Sequence, residues 1–484
     1  MYDVVIVGAG VVGCCTAREL SRYSLKTVVI EKEHDVSCGA SKANSGIVHA
    51  GYDAKVGTQK AKFNVLGQRM FDNLSNELDF PFRRNGSLVV EFDKEGYKIL
   101  EILKAQGVTN GVNNISIISG DEARQLEPNL SDNIYAALLV PDGGIVCPYE
   151  MTIAFAENAA SNGVEFMLNC AVTFIEKKEG VFLISTPGGI FRSKIVINAA
   201  GVYSDDINNF LSERKIKITP RRGEYCLYDK SEGELVNRTI FQLPTKMGKG
   251  VLVMPTTHGN LLLGPTSDDG INYKEDTSTT AEGLELVLKR AKLSLKWLPQ
   301  GKIITSFSGI RAHLESGDFL IEEAEDVPGL INLCGIASPG LTAAPAIGMW
   351  AASIVNEILS PTPNKNFDPI RTKAKPFASM TKNGRTRAIK NDPNYGHIIC
   401  RCESVSKAEI IGALRSPIKA NSLDAIKRRT RAGMGRCQGG FCWMRLVDII
   451  AEECKMDVTE VTKSGGDTRI LLERNKSGMT HEKC

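Results

Sequence analysis

Four cysteines in the last fifth of this 484-residue chain form two close pairs. Cys400 and Cys402 stand in HIICRCES, and Cys437 and Cys442 stand in AGMGRCQGGFCW. Two pairs of thiolates brought together can ligate a [2Fe–2S] cluster, and the same set can hold a structural zinc ion. The spacing alone leaves both hypotheses open. Backbone N–H groups of the glycine-rich second motif could point at the sulfurs and tune a cluster's potential.

A glycine triplet at the other end of the chain predicts a nucleotide site. Gly8, Gly10 and Gly13 form G-x-G-x-x-G between the apolar run DVVIV and a helical segment. The first glycine permits a tight turn, the second lets the backbone approach a pyrophosphate, and the third allows close helix–strand packing. Glu31 ends the next predicted strand, where an acid can bind a ribose 2′-hydroxyl. The motif leaves FAD and NAD open, and the acid disfavours a 2′-phosphate.

The elements that must position these motifs predict an α/β fold. Short apolar runs at 3–7, 26–31, 194–199 and 331–335 suit one parallel sheet of Rossmann type. Strand-rich sequence between them suits an inserted mixed β-sheet domain. The predicted nucleotide domain comprises 1–80, 142–213 and 310–360, the predicted substrate domain 81–141 and 214–309, followed by a linker at 361–396, a small C-terminal cysteine module at 397–455 and a tail at 456–484.

Composition excludes some classes of protein. The length predicts more than one domain, and a net charge of +3 argues against a general nucleic-acid binder. The first residues predict a buried strand and not a secretory signal, so the thirteen cysteines indicate a cytoplasmic protein with thiols, metal ligands or redox groups. The apolar stretch 331–355 is interrupted by glycines and prolines and predicts a strand, a turn and a buried helix. We expect no transmembrane segment, while peripheral membrane contact stays open.

Further motifs resemble the D-amino-acid-oxidase-like flavoproteins in content and order. They are SKANSGIVHAG (41–51), VINAAGVYSDDI (196–207), PRRGEY (220–225), SGIRAH (308–313) and ASPGLTAAPAIG (337–348). Over roughly 1–360 the chain resembles the branch containing glycerol-3-phosphate and L-2-hydroxyglutarate dehydrogenases. The resemblance implies non-covalent FAD, with the isoalloxazine near 41–51 and 337–343 and the substrate between flavin and second sheet. The cofactor-binding residues expected are Gly8, Gly10, Gly13, Glu31, Ser41, Asn44, Ser45, Gly46, Ala200, Gly201, Gly335, Gly340, Leu341 and Thr342.

Oxidation of an alcohol by a flavin needs a base for the hydroxyl proton and a cation for an anionic substrate. His49 and His258 are the candidate bases. His49 could instead bond only to cofactor or backbone, or carry a covalent flavin, and His258 could be a solvent-facing turn residue. Arg311 is the predicted anchor because a guanidinium grips carboxylate or phosphate in two bonds. Weaker anchor candidates are Arg221, Arg222 and Lys246; His34 and His481 are predicted at the surface.

The segment 397–445 resembles the bacterioferritin-associated-ferredoxin-type [2Fe–2S] module, which implies that Cys400, Cys402, Cys437 and Cys442 ligate a cluster. Fused to a flavin domain, the module resembles the large subunit of anaerobic glycerol-3-phosphate dehydrogenases. The implied enzyme oxidises sn-glycerol 3-phosphate to dihydroxyacetone phosphate, with hydride transfer to FAD N5. Electrons then leave through the cluster to a partner flavoprotein or iron–sulfur subunit.

Several alternatives stay open. The acidic continuation after Arg311, RAHLESGDFLIEEAEDVP, is closer to the 2-hydroxyglutarate branch and favours a 2-hydroxy-acid substrate. An amino-acid dehydrogenase would use the same anchor. An electron-transfer subunit without its own substrate would use only the flavin and the cluster. A zinc-stapled interaction module would use only the cysteines.

Overall fold

The computed structural model describes residues 1–243 and 250–473, which form two compact units. The first unit comprises residues 1–32 and 36–371. The second comprises residues 33–35 and the chain from Thr372 onward. Within the described residues, no helix combines the length and the apolar character needed to span a membrane.

The first unit contains two large sheets. Its strands, in chain order, are β1 (Tyr2–Val7), β2 (Thr27–Ile30), β3 (Ile47–Val48), β4 (Phe82–Arg83), β5 (Ser87–Glu91), β6 (Ser116–Ser119), β7 (Ala136–Val140), β8 (Gly144–Val146), β9 (Glu165–Met167), β10 (Phe174–Lys178), β11 (Val181–Thr186), β12 (Gly189–Asn198), β13 (Ile218–Tyr228), β14 (Thr239–Gln242), β15 (Leu252–Pro255), β16 (Leu261–Gly264), β17 (Ile303–Leu314), β18 (Leu320–Glu323) and β19 (Leu330–Cys334).

Helices connect and cover these strands. In chain order they are α1 (Val11–Leu20), α2 (Gln59–Gln68), α3 (Phe71–Leu78), α4 (Tyr97–Asn110), α5 (Gly120–Leu126), α6 (Pro148–Ser161), α7 (Ser204–Leu211), α8 (Ala281–Ser294) and α9 (Gly340–Leu359). The predicted sequence of strand, turn and buried helix at 331–355 is confirmed as β19, a turn and α9.

The central strands of the first sheet form the parallel arrangement predicted from the apolar runs, and β10, β11 and β18 add antiparallel pairs to it. β1 pairs in parallel with β2 on one side and with β12 on the other, and β12 pairs in parallel with β19. β9 extends the sheet beside β2. The buried parts of β1, β2, β12 and β19 are largely apolar, because strands of a covered parallel sheet leave little room for alternating polar residues. The helices α1 and α9 approach closely at Gly348, where a Cβ would lie 2.8 Å from the backbone carbon of Cys15.

The second sheet is mixed, as predicted for the inserted domain. Its strand order is β17-β13-β16-β15-β14-β5-β7-β6. The β13–β17 ladder is antiparallel and runs from the pair Ile218–Leu314 to the pair Tyr228–Ile303, whereas β14 and β5 pair in parallel. The domain boundaries predicted from the sequence assign the two sheets of this unit to two separate domains. These boundaries remain a prediction.

The second unit is a small helical domain. It contains α10 (Lys382–Asn391), β20 (Ile398–Cys400), β21 (Val405–Ser406), α11 (Lys407–Leu414), α12 (Leu423–Thr430) and α13 (Trp443–Cys454). Its core includes Ile410, Ile426, Leu446 and Ile450. The helix α10 lies inside the segment predicted as a linker. Because none of its residues is buried, it lacks the apolar periodicity by which a helix is recognised in a sequence.

His34 is buried in the second unit, so its predicted surface position is wrong. The side chain is 6% exposed, and a Cβ at Gly465 would overlap it. A segment more than 400 residues away in sequence therefore covers it, and the local sequence holds no sign of that. His481 lies outside the described residues.

Asp35 forms a buried ion-pair group in the second unit. Its carboxylate accepts hydrogen bonds from Arg428 at 2.7 Å and from both terminal nitrogens of Arg429 at 2.8 Å. The side chain of Asp35 is fully buried. Burial raises the pKa of Asp35, but the charges of Arg429 and Arg428 outweigh this and hold the pKa at about 2.

We expect Asp35→Asn to lower the free energy of unfolding of this unit by about 3 kcal/mol, because it leaves two buried guanidinium groups without a counter-charge. The folded-state pKa lies below the unfolded value of about 3.9. The stabilisation is therefore complete above pH about 4 and is lost as the pH falls towards 2. Urea denaturation at pH 7 and pH 3 measures both effects. Asp448→Asn, at an exposed position of α13, is the control; equal midpoints for both variants would contradict the assignment.

Candidate active site and cysteine cluster

The glycine loop lies at the carboxyl end of β1 and opens α1. Gly8 has a φ of +105°, and a Cβ there would lie 2.5 Å from the carbonyl oxygen of Ala199. A Cβ at Gly13 would overlap the carbonyl oxygen of Gly8. A Cβ at Gly10 would meet only Ser41 Oγ, at 3.3 Å, so this side of the loop is open. The loop therefore has the open backbone approach and the helix N-terminus that a pyrophosphate needs.

Glu31 and Ser41 both reach this loop. The Glu31 carboxylate accepts a hydrogen bond from the Ala9 N–H at 2.7 Å. Ser41 Oγ accepts one from the Val11 N–H at 2.9 Å. The predicted ribose-binding acid thus lies beside the glycines, as a dinucleotide site requires.

Other predicted cofactor residues follow the carboxyl ends of neighbouring parallel strands. Ala200 and Gly201 come after β12, and Gly335 comes after β19. Gly201 and Gly335 have φ values of +60° and +66°. Gly340 and Leu341 open α9. Ligands of open α/β sheets bind at these strand ends, so the predicted residues come together although they lie far apart in sequence.

The segment 43–49 crosses one face of the second sheet. A Cβ at Gly309 on β17 would overlap the carbonyl oxygen of Ala43. Ser45 Oγ lies 3.3 Å from the hydroxyl of Tyr225 on β13. Within the segment, Asn44 accepts a hydrogen bond from the N–H of Gly46, which has a φ of +68°. The motif predicted to face the flavin is therefore also in contact with the second sheet.

His49 ends this segment, beside the loop between β19 and α9. Its ring centroid is 5.9 Å from that of Phe241 on β14. The backbone N–H of His49 donates to Thr342 Oγ1 at 2.9 Å, and the ring Nε2 lies 3.4 Å from Ser338 Oγ. Burial lowers the pKa of His49 below its usual value, and the charge of Asp53 offsets this only in part. The imidazole is therefore neutral, and able to accept a proton, at neutral pH.

Arg311 shares the face of β17 that Gly309 presents to the segment 43–49, because residues two apart in a strand lie on one face. Gly223, opposite Gly309 in the ladder, makes room for it: a Cβ there would lie 2.5 Å from Nη2 of Arg311. Arg311 Nη2 donates to the carbonyl oxygen of Thr266 at 3.5 Å. Among the described residues no carboxylate lies within ion-pair distance of Arg311, so its charge can serve a bound anion.

The other arginine candidates are neutralised by acids. Arg221 forms an ion pair with Asp269. Arg222 is bound by Asp268 at 2.9 Å and Asp276 at 3.0 Å. Of these three arginines in the β13–β17 ladder, Arg221 and Arg222 are therefore paired with acids, and Arg311 is not. Lys246 lies outside the described residues.

His258 lies in the turn between β15 and β16, away from Arg311. Arg311 faces Arg221 at one end of β13, whereas β16 pairs with β13 at Cys226 and Leu227. Leu227 lies six residue steps of extended strand beyond Arg221, which is roughly 20 Å. The Nε2 atom of His258 lies 2.8 Å from a carboxylate oxygen of Glu150. The structure therefore keeps His258 apart from Arg311, whereas His49 ends the segment 43–49 that packs against β17 at Gly309.

Sequence reasoning missed two groups in this region. Ser338 supplies the hydroxyl beside His49 Nε2, and Tyr225 supplies the hydroxyl beside Ser45. Tyr225 also stacks on Phe307, with ring centroids 4.8 Å apart. Both residues lie inside the motifs 220–225 and 337–348, so a search of those motifs for polar side chains would have found them.

The four C-terminal cysteines lie in two spatial pairs, and each pair takes one cysteine from each of the two sequence motifs. The sulfurs of Cys402 and Cys437 are 3.6 Å apart, and the thiols of Cys400 and Cys442 share a hydrogen bond. Cys400 and Cys442 are each 1% exposed, whereas Cys402 is exposed. The cluster site therefore has one buried pair and one pair close to the surface.

Hydrogen bonds favour a thiolate on one cysteine of each pair. The hydrogen bond with Cys442 lowers the pKa of Cys400 to about 6, assisted by the backbone N–H groups of Gly433 and Glu403. The same bond raises the pKa of Cys442. Backbone N–H groups thus point at the sulfur, as the glycine-rich sequence suggested.

The second pair has the same kind of support. Burial raises the pKa of Cys437, but hydrogen bonds from Cys402 and from the N–H groups of Phe441 and Gly439 outweigh this and lower it. Gly439 has a φ of +91°, and a Cβ there would overlap the ring of Trp443. Only glycine therefore allows the loop to close around the sulfur.

The separation of the pairs favours a cluster over zinc. A search of the described residues for three or more ligand atoms within 4.8 Å of one another does not find these cysteines. No three of the four sulfurs therefore lie that close together. A tetrahedral zinc site needs all four sulfurs within about 3.8 Å of one another. Two separate pairs, each able to serve one iron, fit a [2Fe–2S] cluster.

Comparison with known families agrees with both sites. Residues 3–354 match the family described as FAD dependent oxidoreductase (DAO). Residues 398–452 match the BFD-like [2Fe-2S] binding domain. The predicted fold class and the two predicted cofactors, FAD and a [2Fe–2S] cluster, are confirmed.

Individual relatives cover the chain to different extents. A protein named glycerol 3-phosphate dehydrogenase from Caloramator mitchellensis is 48% identical over 99% of each chain. A solved structure of L-alpha-glycerophosphate oxidase from Mycoplasma pneumoniae with FAD bound is 35% identical, with a TM-score of 0.74, over 77% of this chain and 99% of its own. The mitochondrial L-2-hydroxyglutarate dehydrogenase of Arabidopsis thaliana is 28% identical over 74% of this chain and 83% of its own. The chain belongs to the FAD-dependent oxidoreductase family and carries a C-terminal [2Fe–2S]-type domain.

Proposed function

We propose that this protein oxidises sn-glycerol 3-phosphate to dihydroxyacetone phosphate and delivers the electrons through its [2Fe–2S] cluster to a partner protein. The observation that carries the proposal is the identity of 48%, over 99% of both chains, to a protein named glycerol 3-phosphate dehydrogenase. The position of Arg311 supports it, because a guanidinium beside which the described residues place no carboxylate suits a phosphate.

The side chains divide the chemistry between them. Arg311 holds the phosphate in a bidentate contact, which fixes the distance of C2 from the anchor. Neutral His49 takes the proton of the C2 hydroxyl through Nε2, and Ser338 orients the ring. Bound FAD supplies the acceptor for the hydride from C2. Loss of one proton and one hydride converts the alcohol to the ketone.

The C-terminal unit supports transfer of electrons to a protein. The Mycoplasma pneumoniae oxidase structure aligns along 99% of its length but covers only 77% of this chain, whereas the Caloramator mitchellensis dehydrogenase covers 99% of this chain. A cluster accepts electrons singly and so links a two-electron flavin to a one-electron acceptor. We propose a flavoprotein or an iron–sulfur subunit as that acceptor.

The lowered pKa of His49 predicts the pH dependence of the reaction. We expect kcat/KM to rise with pH through a pKa below the usual histidine value of about 6.5 and to stay level above it, because only neutral imidazole accepts the proton. His49→Gln removes the base and lowers kcat by about 10²-fold, with the acidic limb of the profile lost. His258→Gln is the comparison variant. If it loses the acidic limb and His49→Gln keeps it, His258 is the base instead.

A second candidate substrate is L-2-hydroxyglutarate. The 28% identity to the Arabidopsis thaliana enzyme favours it, and so does the acidic sequence that follows Arg311. The same anchor would hold a carboxylate in place of a phosphate. An amino-acid dehydrogenase and an electron-transfer subunit without a substrate are the remaining alternatives.

An anaerobic absorbance titration distinguishes these functions. The purified protein is mixed with sn-glycerol 3-phosphate, then in separate samples with L-2-hydroxyglutarate and with amino acids. Bleaching of the flavin bands by the first compound, followed by bleaching of the iron–sulfur bands, supports the proposal. Bleaching by one of the others alone replaces the substrate. If no compound bleaches the flavin while a reduced partner protein does, the protein is an electron-transfer subunit.

A further inference from the structure

Three side chains of metal-binding type meet in the first unit, apart from the C-terminal cysteines. They are Cys147, Glu150 and His258, and one donor atom from each lies within 4.8 Å of the other two. His258 Nε2 and Glu150 Oε1 are 2.8 Å apart. Cys147 is 3% exposed and Glu150 is 6% exposed, and the His258 side chain is 19% exposed. The group is therefore shielded from solvent.

Two separate elements supply the group. Cys147 is the N-cap residue of α6, and Glu150 lies in the first turn of that helix. Residues three apart at a helix start lie on one side of the helix. His258 comes from the turn between β15 and β16, followed by Gly259 with a φ of +82°. Helix α6 packs against α1, which follows β1 of the first sheet. The turn that carries His258 belongs to the second sheet. The group therefore joins two parts of this unit.

We propose that Cys147, Glu150 and His258 bind a zinc ion. Sulfur, nitrogen and oxygen donors together suit zinc, whereas calcium and magnesium prefer oxygen alone. Three protein ligands leave the fourth tetrahedral position for water. Donor atoms of a zinc site lie about 3.3–3.7 Å apart, so the group needs shifts of only about 1 Å to close on the ion.

The electrostatics favour a cation at this place. A thiol becomes a thiolate when it ligates a metal, so Cys147 and Glu150 would present two negative charges to the ion. A divalent ion balances both negative charges and lets His258 bind as neutral imidazole. All three residues belong to the first unit, so a zinc ion here depends neither on the proposed substrate nor on the cluster.

Metal analysis of the whole protein tests the proposal. The purified holoprotein is dialysed against micromolar zinc chloride and then against metal-free buffer, and zinc and iron are counted per chain. We expect one zinc per chain in addition to the iron. Zinc K-edge X-ray absorption is expected to show one sulfur at about 2.3 Å and nitrogen or oxygen ligands at about 2.0–2.1 Å.

Variants locate the zinc. Cys147→Ser and, separately, His258→Ala should each lower retained zinc at least tenfold with the iron content unchanged. Cys170→Ser, at another buried cysteine, is the matched control and should retain zinc. His258 lies in a turn, so its variant stays informative if Cys147→Ser fails to fold. No retained zinc, zinc that survives both variants, or a spectrum with four sulfurs would overturn the proposal.

Discussion

An Arg311→Ala variant should lose about 10²- to 10³-fold in kcat/KM for sn-glycerol 3-phosphate. This corresponds to about 3–4 kcal/mol, the range for removing one partner of a desolvated charge pair. The reason lies in the local charges: Arg221 and Arg222 are bound by acids, so neither can replace Arg311. Arg311→Lys should recover only part of the loss, because lysine cannot form the bidentate contact.

Rapid-mixing measurement of flavin bleaching under anaerobic conditions gives the rate and the substrate dependence separately. Dithionite should reduce the flavin of the variant as it does in the wild type, which shows that the cofactor site is intact. Arg214→Ala is the matched control, since its partner is Glu322 and its side chain is 64% exposed. Wild-type kcat/KM in Arg311→Ala would remove the anchor from the proposed site.

Cys400→Ser is expected to abolish the cluster, from two irons per chain to close to none. Cys400 is 1% exposed and its pKa is lowered to about 6 by Cys442, so it is the pre-formed thiolate of the buried pair. A serine hydroxyl there stays protonated and is a poor iron ligand. Bleaching of the flavin by substrate should persist, while reduction of a one-electron acceptor should fall to background.

Iron and acid-labile sulfide analysis, with the electron paramagnetic resonance signal of the reduced protein, measures the loss. Cys454→Ser is the control, because this cysteine is exposed and lies at the end of α13 in the same unit. A Cys400→Ser protein that keeps two irons would show that the ligands are not these four cysteines. A wild type that holds one zinc in place of iron would favour the interaction module.

Much of the fold follows from local sequence. The apolar runs 3–7 and 331–335 are recognisable because strands of a covered parallel sheet have no polar alternation. The helix α10 is not predictable in this way, because it buries no residue and therefore shows no apolar periodicity. The burial of His34 is not predictable either, because the segment around Gly465 that covers it is more than 400 residues away in the sequence.

The candidate site divides in the same way. Arg221, Arg222 and Arg311 are equivalent as residue types, and only the register of β13 and β17 and the positions of Asp268 and Asp269 distinguish them. Those acids are more than 40 residues away in sequence. His49 and His258 are likewise equivalent as candidate bases in the sequence. The fold distinguishes them, because it places His258 beside Glu150 and His49 beside Thr342.

The glycine loop, the parallel strands and the four cysteines are predictable without the fold, because each depends on residue types at short, fixed spacings. Tertiary structure alone decided that Cys400 pairs with Cys442 and not with its neighbour Cys402. It also decided that Cys147 and Glu150 meet His258. Contacts of this kind arise from the packing of distant elements, and their geometry is set by strand register and helix position rather than by any local pattern of residues.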